Sequence, residues 1–162
     1  ASESGAVSGD EVLGLLGRSW EEPYWKLRFK GGCHEVFFLT TLDRTPELYE
    51  TFAAKAAEER YPREDIGVYI QPLVQGCCCH CEFDVYYNPS DAGEVNRARY
   101  LAFGAGEALL RRGAFFSRPY GELADMVYRC CPPETVTALR KVKSIFDPKN
   151  LLNPGNLCFR EV

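Results

Sequence analysis

The chain has no surplus of basic charge: 19 Lys and Arg stand against 23 Asp and Glu, a net charge of −4 over 162 residues. That removes the electrostatic footprint of a protein that binds nucleic acid or an anionic membrane surface. No apolar run approaches the roughly 18 residues of a membrane-spanning helix. The first residues, ASESGAVSGD, lack both the basic and the apolar segment of a secretory leader. There is no internal repeat and, beyond that start, no low-complexity tract. A glycine-rich phosphate loop is missing too. Gly31-Gly32, Gly104, Gly106 and Gly113 are scattered, and no strand runs through glycines into a helix.

What is present is 46% hydrophobic and 26% charged residues, the balance of a globular domain large enough to bury a core. Residues 1–23 read as a linker or partly ordered segment and residues 24–162 as one domain. The small, polar start reads as a boundary, so the chain is expected to be part of a longer protein. Eight cysteines are many for this length, and four fall in the run CCCHC as Cys77, Cys78, Cys79 and Cys81. Consecutive cysteines on a strand alternate faces and make a poor disulfide framework. Reduced thiols in a cytoplasmic protein are the better reading.

YWKLRF (24–29) and EVFFLTTL (35–42) read as strands on their aromatic and β-branched content, with Gly31-Gly32 as the turn between them. From Thr45 the pattern becomes helical. Thr45 reads as N-cap, Pro46 opens the helix, and Leu48, Phe52, Ala53 and Ala56 form one apolar stripe that Pro62 ends. Residues 66–76 and 77–87 read as two further strands, Pro72 marking an edge or a bulge. Asp91 and Glu94 are spaced as a capping box for a long helix that Gly113 stops. After a short extended stretch, ADMVYRC reads as a brief helix. Pro132-Pro133 then start a last one, with Val136, Leu139, Val142 and Ile145 expected to face inward. The order predicts an α+β fold: a largely antiparallel sheet with helices packed on one face and ferredoxin-like elements.

The chain closes on two rigid turns, Asp147-Pro148 and Asn153-Pro154-Gly155, on either side of Leu151-Leu152. A helix followed by FDPKNLLNPGNL resembles the C-terminal signature of FAD-linked oxidases of the vanillyl-alcohol oxidase type, a group that includes D-lactate and glycolate dehydrogenases and 4-alkylphenol oxidases. Asn156 departs from it, standing where Lys or Arg is commoner. The order of elements over most of 24–158 is similar to the family's C-terminal, substrate-binding (cap) domain. The resemblance implies FAD as cofactor, bound mainly by a separate domain that is not seen here, and a small-molecule substrate that loses hydride. On that reading the chain by itself catalyses nothing. Asn153, Pro154 and Gly155 are then expected to face the cofactor. Leu151 and Leu152 would plug against the FAD-binding domain, and their exposure without it would favour self-association into a homo-oligomer.

In the hydroxy-acid branch, the strand matching 75–82 resembles His-x-Gly-Asp-Gly-Asn-x-His and carries metal and substrate ligands. Here Gln75 and Glu82 replace the two histidines, so no metal is expected. Zinc on CCCHC is the other metal reading, but structural zinc needs ligand pairs converging from separate hooks. Buried cysteines acting as small hydrophobes are favoured. One face of that strand would carry Cys78, His80, Glu82 and Asp84, the other Cys77, Cys79, Cys81 and Phe83. If the thiol face meets the helices, His80 and Glu82 face a cavity, and His80 is a candidate for proton chemistry at neutral pH. His34 reads as structural. In SRPYG, Arg118, Tyr120 and Gly121 resemble the alkylphenol branch, where an Arg and a Tyr face the flavin. An Arg can hold a carboxylate or phenolate, and a Tyr can orient substrate or relay a proton. The candidate catalytic residues are therefore Arg118, Tyr120 and His80, with Tyr69, Gln71 and Glu82 as substrate-binding candidates. Two other functions compete with an oxidoreductase's substrate domain. One is a noncatalytic split subunit or ligand-binding domain, the other a zinc or thiol module.

Overall fold

The computed structural model describes residues 8–16, 24–73 and 76–159; most of the expected linker over 1–23, and Gln75, lie outside the described residues. The elements are α1 (Gly9–Leu16), β1 (Gly32–Thr40), α2 (Thr45–Glu58), β2 (Ile66–Pro72), β3 (Cys79–Tyr87), α3 (Ala92–Arg111), α4 (Gly121–Arg129) and α5 (Pro133–Phe146). No helix among the described residues is long and apolar enough to cross a membrane.

The three strands form one antiparallel sheet in the order β1-β3-β2. β1 and β2 therefore flank β3, with α2 crossing between them, the split β-α-β arrangement of ferredoxin-like folds. After α3, Phe115 makes a single antiparallel bridge to Leu39 on the free edge of β1, where such a fold places its fourth strand. The α+β reading and its ferredoxin-like elements are what the structure shows.

The alternation of β1 and β3 divides the sheet cleanly. Val36 and Phe38, with Cys81, Phe83 and Val85, face α2 and α3 and are buried. α2 contributes Leu48, Phe52, Ala53 and Ala56, the stripe read from the sequence. From α3 come Ala98, Leu101, Ala105 and Leu109, at helical spacing. Phe83 is the hub, with ring centroids of Phe52 at 4.9 Å, Phe38 at 5.5 Å and Tyr49 at 5.8 Å. Cys79 and Cys81 fill this layer as small hydrophobes, and burial pushes the Cys81 thiol up to about 12. The helical layer stops short of β2, leaving Val68 and Ile70 exposed.

Several local readings are corrected. YWKLRF is not a strand: Trp25–Leu27 forms one 3-10 turn, and the chain turns again before Gly31 (φ +92) leads into β1. The reason is Lys26, which is buried against the sheet. Two strands are shorter at their ends than read, β2 stopping at Pro72 and β3 starting at Cys79. β2 is an edge strand, which suits its proline. Arg44, not Thr45, holds the cap position of α2, and the helix stops at Glu58, ahead of Pro62. Asp91 caps α3 by accepting the Gly93 and Glu94 N–H groups, but Glu94 reaches the Asn88 N–H instead of closing the box. α5 departs most from expectation. It buries none of its residues, and Val142 and Ile145 are exposed.

The closing segment is held by Asp147. Its carboxylate accepts the Leu151 N–H at Oδ1 and the Leu152 N–H at Oδ2, both at 2.8 Å. Lys143, one turn back on α5, donates to Asp147 and to the Leu152 carbonyl, and Arg140 holds the Cys158 carbonyl at 3.0 Å. The Asp-Pro pair thus stops the helix and supplies the acceptor that folds the tail back on it. The Lys143 hydrogen bond, with help from the two leucine N–H groups, holds the Asp147 carboxyl below its ordinary range. A depressed carboxyl stabilises the fold above its unfolded pKa, and that contribution is lost as pH falls through the folded value. Asp147→Ala should therefore abolish hydrogen-exchange protection at the Leu151 and Leu152 amides while leaving β3 protected. Acidification should lower the same two protection factors first. Protection unchanged in the variant would mean the tail is held by something other than Asp147.

Candidate functional site

The sheet face turned away from α2 and α3 carries the chemistry. Directly paired residues share a face, and the register pairs Glu35 with Asp84, Phe37 with Glu82, and Leu39 with His80. On the other side of β3, Tyr69 pairs with Glu82 and Gln71 with His80. The structure thus brings His80, Glu82, Tyr69 and Gln71 onto one face, opposite Cys79, Cys81 and Phe83.

Phe37 gathers the rest. The His80 ring stacks on it at 5.6 Å and the Tyr120 ring at 6.0 Å, and the Arg118 guanidinium lies 5.6 Å from its centroid. Arg118 is exposed and pairs with no carboxylate among the described residues, so its guanidinium is held by an aromatic face alone. Tyr120 donates its hydroxyl hydrogen to the Glu35 carbonyl at 2.7 Å. That carbonyl lies on the edge of β1 where no strand pairs, and the bond leaves the Tyr120 oxygen able to accept but not to donate again. Burial, then the Glu35 charge, raises the Tyr120 pKa. Tyr69 donates to Gln71 Oε1 at 3.3 Å and meets the His80 ring edge-on.

Beneath this surface lies a buried ionic cluster. Oxygens of Glu35, Glu82 and Asp84 come within 4.8 Å of one another, and the cation they share is the Lys26 ammonium. It donates to Glu82 and to Glu35 Oε1 at 2.9 Å, with Asp84 Oδ1 at 3.4 Å. Lys26 is 4% exposed, Glu82 5% and Asp84 1%, so all three owe their charge to one another. Burial pulls the Lys26 pKa down, but the Glu35 hydrogen bond and the Asp84 and Glu35 charges outweigh it and hold the pKa above its ordinary value. Asp84 also takes the Cys33 thiol at 3.7 Å and the Tyr86 hydroxyl at 3.4 Å. Burial, then the Asp84 charge, pushes both donors up to about 12. Neither gives up its proton at neutral pH.

His80 joins the two layers. Its Nε2 lies 3.1 Å from Glu82 Oε2. Burial, followed by the charges of Arg118 and Lys26, lowers its pKa, so the imidazole is neutral at pH 7. His34 lies on the opposite face, stacked on Tyr87 at 4.9 Å, in keeping with a structural role. Asn153, Pro154 and Gly155 belong to the tail folded on α5; they are exposed, and the Asn156 N–H closes their turn on the Asn153 carbonyl.

The sequence reading missed Lys26, Glu35 and Phe37. The signal for Lys26 was present: three carboxylates on one face of a sheet need a cation, and a lone lysine sits among Tyr24, Trp25 and Leu27 just before β1.

These residues do not build a cradle for a dinucleotide. A Cβ at Gly32 would meet the Tyr87 ring at 2.5 Å, and one at Gly106 would meet Leu123 at 3.0 Å, so these glycines make room for side chains, not for phosphate.

No curated protein and no solved structure matches the chain. The family model described as FAD linked oxidases, C-terminal domain, matches residues 122–157, from α4 through the Asn153-Pro154-Gly155 turn. The match begins just after Tyr120 and agrees with the resemblance read from the two closing turns. Over this segment the chain is similar to the C-terminal domain of the FAD-linked oxidases.

Proposed function

We propose that the β1-β3-β2 face is the substrate wall of an FAD-dependent oxidoreductase whose flavin is held by a separate domain. The substrate would be a small alcohol that also carries an anionic group, either a 2-hydroxy acid or a phenol with a side-chain hydroxyl. The observation that carries this reading is the exposed Arg118 guanidinium, unpaired with any carboxylate among the described residues and set beside a neutral His80 on the Phe37 ring.

Arg118 holds the substrate's carboxylate or phenolate through charge-assisted hydrogen bonds. His80 accepts the proton of the hydroxyl whose carbon is oxidised, a role open to a neutral imidazole near pH 7. Tyr120, its hydrogen committed to Glu35 and its ring stacked on Phe37, limits the orientation of the substrate beside His80. Tyr69 and Gln71 close the far side along β2. The flavin, when bound, supplies the hydride acceptor.

In the full-length enzyme, Arg118→Met should raise KM for the anionic substrate by about 10- to 100-fold, the usual worth of a hydrogen bond to a charged group. KM for a neutral alcohol of the same skeleton should move less than about twofold. Equal effects on the two substrates, or none, would remove Arg118 from substrate recognition.

A further inference from the structure

We propose that Lys26 is a positioning residue of the substrate face, fixing Glu82 as an acceptor so that His80 donates through Nε2 and keeps Nδ1 as its basic nitrogen. The inference rests on the substrate-face reading only for its catalytic consequence; the geometry stands without it.

Glu82 is 5% exposed, and its two oxygens do different work. Oε1 takes the Lys26 ammonium and Oε2 meets His80 Nε2 at 3.1 Å. A carboxylate held by an ammonium stays ionised, and an ionised carboxylate only accepts. The hydrogen between Glu82 and His80 must therefore belong to Nε2, which leaves the lone pair on Nδ1. A carboxylate that orients a histidine and selects its tautomer in this way is a familiar catalytic device. The added feature here is a third group, Lys26, that keeps the carboxylate charged.

Three carboxylates within 4.8 Å would not all remain ionised without that cation. One would take up a proton, and a protonated Glu82 can donate to His80 and reverse the tautomer. The charged and titratable groups facing His80 are Glu82 on β3, Glu35 on β1, Arg118 in the loop before α4 and Lys26 in the turn before β1. Tyr69 on β2 meets its ring edge-on. Arg118 and Lys26 both disfavour imidazolium, but a proton taken up by the carboxylates replaces the lost Lys26 charge, so the tautomer is the readout.

The chain has two histidines, so nitrogen-15 NMR resolves His80 directly, with His34→Gln identifying the other ring. In the unaltered chain above its titration, His80 should show a protonated Nε2 and an unprotonated Nδ1. Lys26→Met should mix the tautomers, and Lys26→Arg should restore the single one. A folded Lys26→Met chain with an unchanged tautomer overturns the proposal, as does a protonated Nδ1 in the unaltered chain. If Lys26→Met does not fold, Glu82→Gln carries the test: the tautomers should mix there too, and an unchanged tautomer overturns the proposal. Kinetics separates this inference from the substrate-face reading. In the full-length enzyme, Lys26→Met should lower kcat/KM about two- to tenfold at pH 7 and at pH 8, where the imidazole is neutral and its tautomer decides whether Nδ1 can accept. An altered tautomer with kcat/KM unchanged at both pH values would keep the Lys26 relay and discard the catalytic use of His80.

Discussion

If the proposed function holds, Leu151→Asp with Leu152→Asp should release the flavin-holding domain from this one while barely touching this domain's own stability. The two leucines are 73% and 65% exposed, beside Val142, Ile145 and Phe146 at 52%, 72% and 79%. These are five large apolar side chains exposed on α5 and the tail that folds back on it, the kind of exposure that marks an interface. Asp147 holds the segment between the two prolines in a fixed shape, so little freedom is left to lose on docking. Burying both leucines would contribute about 3–5 kcal/mol, and losing it would weaken the domain contact by upwards of roughly a hundredfold. In the full-length enzyme the double variant should lose bound flavin and activity. In the chain alone its melting temperature should shift by no more than about 2 °C, as for surface changes generally. Melting of the chain alone with flavin retention untouched would place the leucines in this domain's core and dismiss the interface.

Phe83→Ala should produce the largest loss of stability of any single truncation in the sheet. Phe83 is 1% exposed on the central strand and meets the rings of Phe38, Phe52 and Tyr49, so it ties β1, α2 and β3 into one layer. Removing a buried phenylalanine costs about 3–5 kcal/mol in lost transfer energy and residual cavity. That is a large share of the roughly 5–15 kcal/mol by which domains of this size are stable. Urea unfolding followed by tryptophan fluorescence should show the midpoint falling with little change in slope. A loss below about 1.5 kcal/mol would mean that the ring cluster collapses around the gap. The neighbouring truncation Val68→Ala, on the exposed side strand, should fall within about 0.5 kcal/mol of the unaltered chain.

The parts of this fold that could be read from sequence are those in which local pattern and tertiary packing agree. The α2 stripe, the split of β3 into a thiol face and an imidazole-carboxylate face, and the Gly113 stop all follow from period and turn chemistry. The misreadings fall where a partner decides the conformation. Residues 24–29 have the composition of a strand, yet the ion pairs of Lys26 with Glu35, Glu82 and Asp84 coil them around the buried lysine. The apolar stripe of α5 has the spacing of a core-facing helix, but periodicity states only that a face is apolar, not what covers it. Of the candidate site, the sequence singled out residues whose types carry chemistry: His80, Glu82, Arg118 and Tyr120. It did not disclose Phe37, on whose ring three of them meet, because a phenylalanine in a strand looks the same on either face.

The two-sidedness of β3 restricts how this domain can vary. One inserted or deleted residue between Cys79 and Tyr87 would carry Glu82, Asp84 and His80 into the aromatic core and turn Phe83 and Cys81 out, destroying both layers at once. Length changes are therefore closed to this strand, and its lineage can explore new chemistry only by exchanging side chains in place. Insertions that reshape the rim have to enter where no register is at stake, such as the turn at 88–90 before α3.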